Sequence, residues 1–139
     1  MRFRQDSFEI SFPDTDTWKT HWNEEDYRAW LVDHATRFPD GVLHVIHDGT
    51  IIGQLEFSYP GDIAHVNLFY LKPTMRGLGL GFALQEHVTS TLRSKGCCAA
   101  TLRVSPTNQS AVKFYTKHGW KNLGPDPKYP QVHVYRIEL

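Results

Sequence analysis

Alternation of apolar and polar residues in the middle of the chain predicts three consecutive β-strands. Val42–His47 and Thr50–Tyr59 flank Asp48-Gly49, a pair suited to the two-residue type I′ turn of a β-hairpin. Pro60-Gly61-Asp62 predicts a second turn, and Ile63–Leu71 becomes apolar on both faces towards its end, as expected of a central strand. The pattern therefore predicts a three-stranded antiparallel meander.

The segment before the meander combines one strand pattern with two helical ones. Phe8–Phe12 alternates in the manner of a short, half-buried strand. Over residues 14–38 the spacing predicts two helical pieces joined near Asn23, and Trp18 and Trp22 share one face of the first piece. The apolar face predicted for the second piece is formed by Tyr27, Trp30, Leu31, Ala35 and Phe38.

The segment after the meander alternates helical spacing with strand patterns. One face of a long predicted helix is formed by Leu80, Ala83, Leu84, His87, Val88, Thr91 and Leu92. Gly96 suits the left-handed residue that follows such a helix. Ala99–Val104 predicts a strand, and a second helix, capped by Asn108 or Thr107, is predicted to end at Gly119.

Two more strand patterns follow the second helix. Trp120–Leu123 and Val132–Leu139 predict strands that a proline-rich loop connects. The predicted order over residues 1–139 is therefore β-αα-βββ-α-β-α-ββ. This order predicts a single α/β domain, in which helices flank a mixed, mostly antiparallel sheet.

Composition narrows the classes of partner. A chain of 139 residues is long enough for one core, and its 15 basic residues balance its 15 acidic residues. The zero net charge predicts no general attraction to nucleic acid or to anionic membranes. No apolar run reaches the ~20 residues that span a bilayer, and Met1–Asp6 lacks the apolar stretch of a signal peptide. Because Cys97 and Cys98 form no disulfide framework, we expect a cytoplasmic protein. Both a monomer and a homodimer are compatible with the sequence, since edge strands near the carboxyl terminus could pair between chains.

A glycine-rich segment stands between the third meander strand and the long helix. In Arg76-Gly77-Leu78-Gly79-Leu80-Gly81, alternate glycines leave backbone N–H groups free to converge on an anion, with the positive end of the helix dipole behind them. The segment is not a dinucleotide-binding G-x-G-x-x-G, because Phe82 and Leu84 occupy the possible third positions. No Gly-Lys-Ser/Thr follows, which excludes a P-loop. A pyrophosphate site and a turn without a ligand both remain open.

Two motifs carry a resemblance to a known family. Arg76-x-x-Gly79-x-Gly81 resembles the Q/R-x-x-G-x-G/A pyrophosphate loop of the GCN5-related N-acetyltransferase (GNAT) superfamily. Asn108-x-x-Ala111-x-x-Phe114-Tyr115-x-x-x-Gly119-Trp120 is similar to that family's Asn…Tyr…Gly-aromatic segment. The motifs occur in the family's order, and the resemblance extends over nearly the whole chain.

The resemblance implies an enzyme that moves the acetyl group of acetyl-CoA to a primary amine by direct transfer in a ternary complex. It implies Tyr115 as the acid that protonates the departing thiolate, and a backbone N–H near Leu71 that stabilises the oxyanion. No metal is implied, and no metal-ligand spacing stands out. The implied cofactor-binding residues are Phe69, Tyr70, Leu71, Arg76, Gly77, Leu78, Gly79, Leu80, Gly81, Phe82, Asn108 and Tyr115.

The general base is where this sequence departs from the family. Many members carry a glutamate six residues before the position of Leu71, where this chain has His65. An imidazole is chemically suited to take the proton, and Glu56, Asp62 or a chain of waters are alternatives. Members that acetylate protein amino termini often carry a glutamate five residues before the asparagine. Arg103 at that position argues against such a substrate.

The acceptor stays open between a small-molecule amine and a protein amine. The resemblance implies a pocket between the first helical region and the last strands. Candidate linings are Trp18, Trp22, Trp30, Tyr59, Tyr129 and His133. Two other functions are compatible with the sequence: a non-catalytic acyl-CoA sensor of the same fold, and an interaction module that binds no CoA.

Overall fold

The computed structural model describes residues 24–139. The predicted strand Phe8–Phe12 and the helix face of Trp18 and Trp22 lie outside the described residues. The helices are α1 (Glu24–Arg37), α2 (Leu80–Ser94) and α3 (Gln109–Lys117). The strands are β1 (Val42–His47), β2 (Thr50–Ser58), β3 (Ile63–Leu71), β4 (Ala99–Val104), β5 (Lys121–Pro125) and β6 (His133–Glu138). In this part of the chain, none of the helices is long and apolar enough to cross a lipid bilayer.

Within residues 24–139 the strands form one six-stranded sheet in the order β1-β2-β3-β4-β6-β5. Among these strands only β3 and β4 run parallel, because α2 returns the chain to the same end of the sheet before β4 begins. Every other pair is antiparallel. The predicted fold class, a mixed and mostly antiparallel sheet flanked by helices, is confirmed.

The hairpin between β1 and β2 has the predicted turn. Asp48 and Gly49 both have positive φ angles, 49° and 76°, as a type I′ turn requires. Short polar and glycine residues adopt this region at low cost, which is why the pair could be read from the sequence.

A β-bulge in β3 decides where the sheet opens. Glu56 pairs with Leu68 and Phe57 pairs with Val66, so Asn67 is the extra residue on β3. Parallel pairing with β4 ends at the same point, at Val66 and Leu102. Beyond it β3 keeps its pairing with β2 but not with β4. The two central strands therefore diverge and leave a gap between them.

Polar residues pack α2 on the sheet, which the apolar spacing did not predict. Gln85 and Thr89 are buried, whereas the predicted face residues Ala83 and His87 are exposed. The Gln85 amide explains the difference: its Nε2 donates to the His118 carbonyl at 3.0 Å, and its Oε1 accepts from the Trp120 indole at 2.9 Å. Because both ends of the amide are hydrogen-bonded, burial leaves neither the donor nor the acceptor unpaired.

The same correction applies to α1. Ala35, predicted on the buried face, is exposed, and His34 is buried instead. The His34 Nε2 lies 2.7 Å from the Phe57 carbonyl oxygen, so a polar contact fixes this helix on β2. The helix also ends at Arg37, one residue earlier than predicted.

The remaining elements differ from the predicted ones in the residues at which they begin or end. Trp120 precedes β5 as a buried anchor, and β6 begins one residue later than the predicted strand. Asn108, not Thr107, caps α3: its Oδ1 accepts from the Ala111 N–H at 3.2 Å. The predicted left-handed conformation is present at Gly96.

Candidate active site

A cleft of about 610 Å³ lies along the end of β3, beyond the point where β3 and β4 stop pairing; we call it the β3–β4 cleft. Three segments contribute its walls: the end of β3, the glycine-rich loop with the start of α2, and one side of α3. The lining residues are Phe69, Tyr70, Leu71, Arg76, Gly77, Gly79, Gly81, Phe82, Asn108, Ser110, Ala111, Lys113, Phe114, Tyr115, Lys117 and His118.

The edge of β3 presents backbone hydrogen-bonding groups to this cleft. Lys72 donates its N–H to the Ile52 carbonyl of β2 at 2.8 Å. Because the two sides of an antiparallel strand alternate, the N–H and C=O groups of Phe69 and Leu71 are directed away from β2, into the gap. The Leu71 carbonyl there accepts from the Arg76 Nε at 2.8 Å, which ties the loop to the strand.

Glycines shape the loop in two different ways. Gly77 and Gly79 have φ angles of 77° and 79°, a conformation that residues with a Cβ rarely adopt, and a Cβ there would meet no atom within 4 Å. Gly81 is required for packing, because its Cβ would lie 2.8 Å from the Phe114 ring. Gly79 caps α2 without a side chain, so the first N–H groups of this helix are left to an anion.

The charges that line the cleft are all positive. Arg76, Lys113, Lys117 and His118 are lining residues, and among residues 24–139 no Asp or Glu lines the cleft. The chain as a whole has no net charge, so these cations are a local concentration of positive charge. Such a lining suits a ligand with several negative charges.

Tyr115 is the buried hydroxyl of the cleft. It is 8% exposed and packs against Phe69, Phe114 and Trp120, with ring centroids 6.3, 5.4 and 5.6 Å away. Burial raises the pKa of Tyr115 above its ordinary value, because the phenolate would lose its hydration. The hydroxyl therefore keeps its proton and can donate a hydrogen bond into the cleft.

The structure brings most of the predicted cofactor residues to this cleft. Ten of them are lining residues: Phe69, Tyr70, Leu71, Arg76, Gly77, Gly79, Gly81, Phe82, Asn108 and Tyr115. Leu78 and Leu80 are not, and Leu78 is 65% exposed. In a loop with alternate glycines, the backbone and not the leucine side chains faces the cavity.

His65 lies outside the cleft, on what we call the polar face: the side of β3 and β4 that carries His65, Thr101 and Arg103. Ala100, Leu102 and Val104 point to the core under α2 and α3, so the alternate residues of β4 point to the opposite side. The His65 Nδ1 is 3.1 Å from the Thr101 Oγ1, and its Nε2 is 3.3 Å from an Arg103 terminal nitrogen. A guanidinium can only donate, so Nε2 accepts and the imidazole is neutral.

The two alternative bases have different environments. Glu56 is fully buried and accepts hydrogen bonds from the Tyr27 hydroxyl and, at 2.6 Å, from the Gln54 Nε2. Asp62 is an exposed residue in the turn before β3. Among residues 24–139, no group of three or more His, Cys, Asp or Glu side chains is placed to hold a metal ion.

Two groups of site residues were not predicted. Lys113, Lys117 and His118 line the cleft. His118 is three residues after Tyr115, so helical spacing would have indicated it, whereas neither lysine is three or four residues from Asn108 or Tyr115. Asp126 also gave no signal. It is 4% exposed in the loop before β6, and its Oδ2 accepts from the Arg103 Nε at 2.7 Å. This contact joins residues 23 positions apart in sequence.

Comparison with known proteins identifies a family whose model matches this chain, and solved structures with the same fold. A model of the Acetyltransferase (GNAT) family matches residues 3–120. An uncharacterised N-acetyltransferase of Mycobacterium tuberculosis (strain ATCC 25618 / H37Rv) is 37% identical over 98 residues, which cover 69% of this chain and 62% of the relative. Mycothiol acetyltransferase of Thermomonospora curvata is 30% identical over 109 residues, covering 78% of this chain and 36% of that protein. The chain thus spans less than two thirds of these relatives.

Solved structures show the same fold at low sequence identity. The PaiA N-acetyltransferase of Thermoplasma acidophilum, solved in complex with coenzyme A, has a TM-score of 0.74 at 20% identity and covers 99% of this chain and 89% of its own. Ard1 of Thermoplasma volcanium has a TM-score of 0.71 at 21% identity, with coverage of 81% and 79%.

Proposed function

The chain belongs to the acetyltransferase (GNAT) family, and from this premise we propose that it is an N-acetyltransferase that moves the acetyl group of acetyl-CoA directly to a primary amine. The observation that carries the proposal is the β3–β4 cleft, which combines an acid-free cationic lining with glycine-rich backbone and an open strand edge. The acceptor is a small-molecule amine or a protein amine.

The cleft fits each part of acetyl-CoA. The pyrophosphate takes the N–H groups of the loop at Gly77–Gly81 and the positive end of α2. Lys113 and Lys117 offer two ammonium groups for the additional phosphate on the ribose. The amide groups of the pantetheine arm pair with the backbone of Phe69 and Leu71.

The chain's groups match the charges that develop during acyl transfer. Attack on the thioester builds negative charge on the carbonyl oxygen, which the Leu71 N–H stabilises. Negative charge then develops on sulfur, and the Tyr115 hydroxyl donates to it as the general acid. The high pKa of Tyr115 keeps this donor protonated at every physiological pH.

An amine must lose a proton before it attacks, since an alkyl ammonium has a pKa of about 10.4. We retain His65 as the proposed base. Its Nε2 accepts a hydrogen bond from Arg103, so it can take a proton only after that contact opens.

Calorimetric titration with acetyl-CoA, free CoA and 3′-dephospho-CoA tests the function first. We expect stoichiometric micromolar binding of the first two and weaker binding of the third. A Lys113→Ala/Lys117→Ala variant should bind CoA and dephospho-CoA alike, whereas Lys121→Ala on β5, outside the cleft lining, should behave as wild type.

Turnover is then measured as CoA release with a panel of amines. Release with at least one amine supports the proposal. Binding without release is what a sensing domain predicts, and a folded protein that binds no CoA is what an interaction module predicts. Either of these results contradicts an acetyltransferase.

A further inference from the structure

The polar face lies on the side of β3 and β4 that is opposite to α2 and α3. In the proposed function, the cofactor arm fills the β3–β4 cleft from the side of α2 and α3. An amine must therefore approach the thioester from the opposite side of the diverging strands. Arg103 follows Leu102, the last residue of β4 that pairs with β3, and so stands where the gap begins.

Two hydrogen bonds hold the Arg103 side chain in position, although much of it is still exposed to solvent. Its Nε donates to the Asp126 Oδ2 at 2.7 Å, and one terminal nitrogen donates to the His65 Nε2 at 3.3 Å. The side chain is still 47% exposed, whereas that of Asp126 is 5% exposed. The Nε edge of the guanidinium is therefore anchored, while nearly half of the Arg103 side chain stays open to solvent.

Both carboxylate oxygens of Asp126 accept hydrogen bonds from the protein itself. Its Oδ1 accepts the N–H groups of Lys128 and Tyr129 at 2.8 and 2.9 Å, and its Oδ2 is occupied by Arg103. The same loop carries the Lys128 ammonium, which lies 5.3 Å from the centre of the Tyr129 ring. The charges of Arg103 and Asp126 balance, so the exposed Lys128 ammonium leaves this group of side chains with one net positive charge.

We infer that Arg103 binds a carboxylate of the acceptor, and that the amine acetylated by this protein is a small molecule that also carries a carboxylate, such as an amino acid. The inference rests on the proposed function. A planar guanidinium matches a carboxylate with two parallel hydrogen bonds, and anchoring through Nε removes most of the entropy cost of ordering the side chain. A simple polyamine offers no group for this site.

Matched pairs of amines test the inference. Each pair contains an amino acid and the amine that remains after its carboxylate is removed: phenylalanine with phenethylamine, tyrosine with tyramine, and lysine with cadaverine. The readout is kcat/KM for CoA release at saturating acetyl-CoA. We expect at least about tenfold preference for the carboxylate member of the pair that fits the pocket, as one charge-assisted interaction provides.

Variants at Arg103 test whether its guanidinium causes the preference for the carboxylate amine. Arg103→Gln should lower the ratio of kcat/KM for the carboxylate amine to kcat/KM for its decarboxylated partner by about 10- to 100-fold. Loss of the contact with the His65 Nε2 acts on both members of a pair alike, so it cancels in this ratio. Arg103→Lys should lie between, because an ammonium keeps the charge but not the planar fork. Arg136→Gln is the matched control: Arg136 pairs with Glu138 on β6, and Cα pairing with Thr101 places it on the same side of the sheet.

The outcomes separate this inference from the proposed function. Equal or better use of the decarboxylated amines, or no acetylation of any carboxylate amine, overturns the inference, while acetyl-CoA binding and CoA release with another amine would preserve the function. If Arg103→Gln only displaced the loop around Asp126, kcat/KM would change equally for the amino acid and for its decarboxylated amine. That result would also overturn the inference.

Discussion

The β3–β4 cleft and the polar face lie on opposite sides of the same two strands, and they are built in different ways. The cleft is formed by two stretches of the chain, residues 69–82 and 108–118, which supply a strand edge, a glycine loop with a helix start, and one face of α3. The polar face joins His65, Arg103 and Asp126 from two strands and a loop, through side chains alone. Backbone geometry therefore shapes the site proposed for the cofactor, whereas long-range side-chain contacts shape the site proposed for the acceptor.

Among the variants considered, we expect Gly79→Val in the cleft to have the largest effect, on acetyl-CoA affinity. Valine at a φ of 79° is strained, and its methyl groups would occupy the space of the pyrophosphate. We expect acetyl-CoA affinity to fall at least ~100-fold, which corresponds to about 2.8 kcal/mol. Calorimetric titration measures this loss.

Gly49→Val is the matched control for that experiment. Gly49 has nearly the same φ, 76°, but lies in the hairpin turn of β1 and β2, outside the cleft lining. Both variants carry a similar backbone strain of roughly 1–2 kcal/mol, so both should lose similar thermal stability. If they also lost acetyl-CoA affinity equally, the loop would not be the binding site.

The difference between the two sides also explains what the sequence could predict. The hairpin turn, the loop and the Asn108 cap depend on neighbouring residues, so local chemistry indicated them. The burial of Gln85 and the contact of Arg103 with Asp126 depend on partners 35 and 23 residues away. Periodicity cannot detect such pairs, because it assigns polar residues to the surface whatever their partners.

Tyr115→Phe separates chemistry from binding within the cleft. The ring packing is preserved, but the donor to the leaving sulfur is lost. We expect kcat to fall about 100-fold, at the lower end of the range for general acid–base catalysis, with acetyl-CoA affinity almost unchanged. Steady-state rates and calorimetry give the two numbers.

Tyr135→Phe serves as its control. Tyr135 is 2% exposed and its ring centroid lies 6.3 Å from that of Tyr115, yet it is not a lining residue. This variant should keep its rate. An unchanged rate in Tyr115→Phe would remove that hydroxyl from the mechanism.

His65→Ala tests whether the polar face supplies the base. We expect kcat/KM to fall about tenfold at pH 7, less than for Tyr115→Phe, because water can partly replace an imidazole. The rate should recover as the pH approaches the amine pKa, since more acceptor is then already deprotonated. His44→Ala, an exposed histidine on β1, is the control. Full activity of His65→Ala at neutral pH would assign the proton to another route.

The smallest effect is expected from acid titration of Asp126. The hydrogen bond from Arg103, with those from the Tyr129 and Lys128 N–H groups, lowers the pKa of Asp126 from 3.8 to about 2. A carboxyl whose folded pKa lies below its unfolded value stabilises the fold above the unfolded pKa. That contribution is lost as the pH falls through the interval from about 4 to about 2.

Asp126→Asn removes this titrating group but keeps an oxygen that can accept from the loop. Denaturant midpoints measured from pH 5 to pH 2 should therefore show wild type more stable at pH 5, with the difference shrinking towards pH 2. Glu138→Gln, which removes an exposed carboxylate paired with Arg136, should give a smaller difference because solvent screens that pair. A constant difference between wild type and Asp126→Asn across this range would mean that the charge of Asp126 does not hold Arg103 and the loop. The polar face would then be ordered by the shape of its backbone, as the cleft is.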